Sequence, residues 1–122
     1  MTPTHKATCH CGAVELAIDW TDGIGNMRRC DCSMCRRKGA IMVTAIVGTL
    51  EVVKGADKLS LYTFNTDTAK HYFCSKCGIY THHQRRSNPN EFGVNAGCIE
   101  GLVMSELEPV AWSDGINHPS DK

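Results

Sequence analysis

Apolar and polar residues alternate along much of this chain with a period of two. In residues 13–20, Val14, Leu16, Ile18 and Trp20 share one parity while Glu15, Ala17 and Asp19 take the other, as in a strand with one buried face. Residues 91–96 repeat the pattern, with Phe92, Val94 and Ala96 directed to the core. Residues 40–47 form an apolar run rich in β-branched side chains, which predicts a strand covered on both faces. Residues 27–29, 50–53, 57–64, 69–73 and 79–84 read as further short strands, with Leu59, Leu61 and Thr63 on one side of the third. Residues 21–26, 65–68 and 87–90 are turns, rich in Gly, Asn, Asp, Thr and Pro. Residues 1–8 read as an irregular lead-in or an edge strand, 36–39 as a short helical turn or loop, and 97–112 as a stretch of scattered apolar points before a polar tail. No segment sustains apolar residues at helical spacing. The pattern predicts a mainly β chain of many short strands, one domain over residues 1–122 with its core at about 5–112.

Cysteine punctuates those strands. Seven of the eight cysteines fall into three knuckles: Cys9 and Cys11, then Cys30, Cys32 and Cys35, then Cys74 and Cys77, with Gly12 and Gly78 closing the outer two. Structural zinc takes four protein ligands, whereas catalytic zinc takes three and keeps a position for water or substrate. The outer pairs together supply four thiols and the central knuckle supplies three. This arithmetic predicts two zinc ions, one in a closed site that fastens an early strand to a late one and one in an open site. Cys98, His82 or His83 could instead complete the central set; in a strand the two histidines point to opposite faces, so at most one faces it. Arg28, Arg29, Arg36, Arg37 and Lys38 flank the central knuckle, where cations favour thiolates. Arg36 and Arg37 are candidates to hold the carboxylates of an anionic substrate.

Charge narrows the partners. The 122 residues carry 13 Lys and Arg against 13 Asp and Glu, a formal net charge of zero. Neither nucleic acid nor a membrane surface is expected as a partner. The opening residues show no apolar stretch of signal-peptide type, and knuckle spacing in a reducing compartment reads as metal ligation rather than disulfides. A cytoplasmic location is expected.

Three segments carry a resemblance: Cys9-His10-Cys11-Gly12, Cys30-Asp31-Cys32-Ser33-Met34-Cys35-Arg36-Arg37-Lys38-Gly39 and Phe73-Cys74-Ser75-Lys76-Cys77-Gly78. In order and spacing they resemble the glutathione-dependent formaldehyde-activating enzyme family, which includes centromere-protein-V-like members, over roughly residues 5–110. The resemblance implies a β-tent fold of small antiparallel sheets pinned by zinc. It implies a structural zinc on Cys9, Cys11, Cys74 and Cys77 and a catalytic zinc on Cys30, Cys32 and Cys35. It also implies carbon–sulfur lyase chemistry in which glutathione or another small thiol joins an aldehyde to give an S-hydroxymethyl adduct. A non-catalytic protein-interaction module with two closed zinc sites is the competing expectation. A redox role for Cys98 ranks below both, because no cation adjoins it in sequence.

Overall fold

A computed structural model describes residues 1–118. Ten strands and one short helix follow in chain order: β1 (His5–Thr8), β2 (Glu15–Ile18), β3 (Met27–Cys30), α1 (Ser33–Lys38), β4 (Met42–Ile46), β5 (Leu50–Lys54), β6 (Leu59–Tyr62), β7 (Lys70–Cys74), β8 (Tyr80–Gln84), β9 (Glu91–Asn95) and β10 (Ala111–Ser113). The strands form two sheets. One has the order β1-β2-β5, the other β10-β3-β4-β9-β8-β7-β6. Every pairing is antiparallel except that of β10 with β3, so the fold is mainly β, as the alternation predicts.

One apolar cluster draws on both sheets. Val14, Leu16, Ile18 and Trp20 are all buried, and they share the core with Val43, Ala45 and Val94 of the larger sheet and Ala96 just after it. Burying each such aliphatic side chain is worth about 1.5–3 kcal/mol. β4 is covered on both faces only over its first part, with Met42, Val43 and Ala45 buried; Ile46 and Val47, at the end of the apolar run, are exposed. A polar tie reinforces the join: Trp20 Nε1 donates to the Thr44 carbonyl at 3.0 Å. Gly25 makes room for it, since a Cβ there would lie 1.8 Å from that same oxygen.

Three expectations need correction. Residues 57–64 are not one strand: Ala56–Lys58 is a 3-10 turn and only Leu59–Tyr62 is extended. Gly55, at φ 78°, turns the chain out of β5 there, and β6 is an edge strand, so Leu59 packs on the core while Leu61 is exposed. The helical turn expected at 36–39 begins earlier, within the knuckle, where Cys32 Sγ caps α1 by accepting from Cys35 N. The chain also does not loosen after residue 112. β10 pairs with β3, and Gly115 is buried. The end of the expected polar tail, residues 119–122, lies outside the described residues.

Leu16 sits at the junction of the two sheets with 1% of its surface exposed. Leu16→Ala should cost about 2–5 kcal/mol, read as a lowered denaturation midpoint with little change in slope.

Candidate metal centres

The outer knuckles meet in space. Cys9 and Cys11 lie in the turn joining β1 to β2; Cys74 ends β7 and Cys77 lies in the turn to β8. Each knuckle is shaped by a glycine in the left-handed region, Gly12 at φ 81° and Gly78 at φ 77°. Backbone closes both turns, with Gly12 N donating to Cys9 O at 3.3 Å and Gly78 N to Cys74 O at 2.8 Å. All four sulfurs lie within 4.8 Å of one another. The Cys9–Cys11 and Cys11–Cys74 sulfur separations are both 3.7 Å. A disulfide needs about 2.05 Å, whereas a tetrahedron with metal–sulfur bonds of about 2.3 Å has edges of about 3.8 Å. The four thiols therefore have the spacing of a tetrathiolate metal site. Backbone N–H groups favour thiolates here: Val14 N donates to Cys9 Sγ at 3.3 Å, and the Cys11 and Ile79 amides lower Cys77 to about 6.

The central knuckle gathers separately. Cys30 ends β3, Cys32 caps α1 and Cys35 sits in its first turn, so a strand end and a helix start bring three sulfurs within 4.8 Å. Among the described residues no fourth His, Cys, Asp or Glu joins them at that distance. The three thiols interact strongly. Hydrogen bonds from Cys30 and Cys35 hold Cys32 far below the ordinary thiol range, while the same contacts push Cys35 far above it. Beside the cluster lies a cavity of about 160 Å³, walled by the three cysteines and by Arg28, His71, His83, Arg85, Arg86 and Gly115, among others.

A scan of protein families adds the deciding observation: the model of the glutathione-dependent formaldehyde-activating enzyme family matches residues 4–113. The chain belongs to that family. The crystal structure of a Rhodobacter sphaeroides protein is similar too, at 57% sequence identity and a TM-score of 0.84, over 88% of this chain and 99% of that one.

Within this member of the formaldehyde-activating family, the cavity has a different lining from the one charge patterning suggests. Arg36 and Arg37 are exposed and do not line it; Arg37 Nη1 is turned back onto the Ser33 carbonyl at 2.7 Å. Helix geometry gives the reason. At about 100° per residue, Lys38 returns close to the face of Cys35, while Arg36 and Arg37 point elsewhere. Lys38 Nζ instead reaches inward, 3.8 Å from the Tyr80 ring centroid and 2.8 Å from His71 Nδ1. The cations on the cavity are Arg28, from β3, and Arg85 and Arg86, which follow β8.

Neither Cys98 nor either of the paired histidines completes the triad. Cys98 is buried in a 3-10 turn and donates to the Tyr80 carbonyl at 3.5 Å; burial pushes its thiol up to about 11, which disfavours a redox nucleophile there. His82 stacks on Tyr72 at 4.7 Å, away from the cavity, and burial lowers it to about 4. His83 faces the cavity, as the alternation of a strand allows for one of the two, but its Nδ1 is taken by the Tyr80 hydroxyl at 2.6 Å.

Asp31 and Gly115 carry no spacing signal, yet they close the site. Asp31 Oδ1 accepts from Gly115 N at 2.8 Å and Ile116 N at 3.3 Å, while Arg86 Nη2 donates to Gly115 O at 3.2 Å. The chain after β10 is thereby laid against the thiols. A Cβ on Gly115 would lie 2.6 Å from Cys30 Sγ and 2.5 Å from Cys32 Cβ. Gly115→Ala should therefore weaken metal retention at the triad by about 10–100-fold in a chelator competition, with metal at the four-thiol site held as before.

Proposed function

We propose that this protein joins a small thiol, glutathione or a close relative, to an aldehyde of formaldehyde size, and that it does so as a zinc enzyme. The observation that carries the reading is the three-thiol cluster with its fourth side on a cavity rather than on a protein ligand. In the reaction the thiol sulfur bonds to the aldehyde carbon, the carbonyl π pair passes to oxygen, and the thiol proton ends on that oxygen. The reverse is carbon–sulfur cleavage, the lyase direction.

Three soft sulfur donors within 4.8 Å of one another fit zinc, and Cys30, Cys32 and Cys35 would hold it. When bound there, zinc supplies a position that favours thiolate over thiol and a Lewis acid for the aldehyde oxygen. Cys9, Cys11, Cys74 and Cys77 would hold a second zinc, whose contribution is to folding.

The chain's own groups do the rest. Arg28 is bound by the Thr44 hydroxyl, an uncharged partner, so its guanidinium keeps its charge for an incoming anion. Arg85 is paired with Glu91 and Arg86 with the Gly115 carbonyl, which fixes both against the cavity wall. A thiol bearing carboxylates, as glutathione does, would be drawn to this side by charge and held by charge-assisted hydrogen bonds. The cavity suits a one-carbon aldehyde and the sulfur end of the thiol; the body of a tripeptide would extend out toward the arginines.

Cobalt-substituted protein tests the reading. Glutathione should intensify and shift the sulfur-to-cobalt absorption bands, and Cys32→Ser should abolish that response while leaving the four-thiol site's own bands. A spectrum unmoved by thiol, with two cobalt ions per chain, would instead describe two closed sites and a binding module.

A further inference from the structure

One buried polar atom at the cavity has no partner. His71, on β7, is 5% exposed, and its Nε2 is buried with no hydrogen bond. The other ring nitrogen, Nδ1, lies 2.8 Å from Lys38 Nζ. An ammonium only donates, so Nδ1 accepts and the ring hydrogen is on Nε2. Burial disfavours a charged ring, and the Lys38 contact fixes where its N–H lies.

The ring is also fixed in place. One ring contact is the near-parallel Phe64 at 5.7 Å; another is the His83 ring at 5.4 Å. His83 is in turn held by the Tyr80 hydroxyl, which donates to the Gly93 carbonyl at 3.1 Å. Gly93 leaves room for that ring, since a Cβ there would lie 2.5 Å from His83 Cε1. With stacked neighbours and with Lys38 at Nδ1, the edge carrying Nε2 is what His71 offers the cavity beside Cys30, Cys32 and Cys35. Lys38 lines a separate hollow, which His71 also borders, and not this cavity, so the Lys38 contact at Nδ1 leaves Nε2 as the ring nitrogen without a partner.

We propose that His71 is the hydrogen-bond donor to the oxygen of the aldehyde and of its thiol adduct. This rests on the function proposed above and adds a named partner for the atom on which negative charge develops when sulfur adds to carbon. A donor that is already oriented and without a competing partner in the protein favours that charge with little rearrangement. His71 keeps its proton throughout; the hydrogen that ends on the oxygen is the one lost by the thiol.

Three readouts decide the matter. In wild-type protein, 15N NMR of labelled histidine should show the Nε2–H tautomer at His71, and the signal should move when thiol and aldehyde are added together. His71→Leu should lower kcat on the order of 10²-fold at unchanged metal content. His71→Gln, whose amide N–H reaches a similar point, should recover most of that loss. An Nδ1–H tautomer, or a leucine variant as fast as wild type, overturns the role of His71 while leaving the function standing. Wild-type protein that forms no adduct at any metal loading overturns the function itself, and the role of His71 with it.

Discussion

Sulfurs carried by the two sheets meet at one point. Cys9 and Cys11 come from the turn that begins the three-stranded sheet, Cys74 and Cys77 from the β7–β8 turn of the seven-stranded one. Sulfur separations of 3.7 Å are too long for disulfides and match the edge of a metal tetrahedron. Four unlinked thiols at this distance would gain little by meeting, and as thiolates they would repel. With a divalent ion between them the same contact becomes a cross-link across more than 60 residues of chain, and its binding energy becomes folding energy. The apolar core around Leu16, Ile18, Val43 and Val94 is small, so the junction and the core depend on each other.

That frame explains where the second cluster can act. The central triad is local: Cys30, Cys32 and Cys35 are placed by the end of β3 and the capped start of α1, and nothing distant is needed to bring their sulfurs together. The space in front of them is not local. His71 is carried on β7, three residues before Cys74, and His83 on the paired strand β8, so the junction that positions β7 and β8 also positions one wall of the cavity. The opposite wall is the chain after β10, drawn in by Asp31 and Arg86. The strand that carries Cys74 thus also carries a wall of the cavity in front of the other cluster.

Much of this was legible in the sequence because period and spacing are local properties. Strand alternation identified Val14, Leu16, Ile18 and Trp20 as buried, and knuckle spacing picked out the seven cysteines that the fold gathers into two groups. What stayed hidden depends on pairing between distant segments. β10 is a three-residue strand whose partner is more than 80 residues earlier, and a run that short carries no periodicity to read. Gly115 looked like part of a polar tail because nothing near it in sequence says that Asp31 binds its amide. His71 offered no spacing to another ligand. Arg36 and Arg37 drew attention because they adjoin the thiols in sequence, but one helical turn is enough to send them outward and bring Lys38 in.

The order in which these parts can form follows from their range. A thiol cluster spanning six residues can gather a soft metal ion while much of the chain is still unpaired, since the loop it closes is short. Such an ion would sit in water, without the arginines or imidazoles around it. Only when β7 and β8 are fixed by the sheet junction, and β10 has returned to β3, does the cavity exist. Gathering of the three thiols and formation of the cavity are thus separable in this fold, and the second requires long-range contacts that the first does not. The buried glycine at position 115 marks that last closure, because it lets backbone lie where any side chain would strike Cys30 and Cys32.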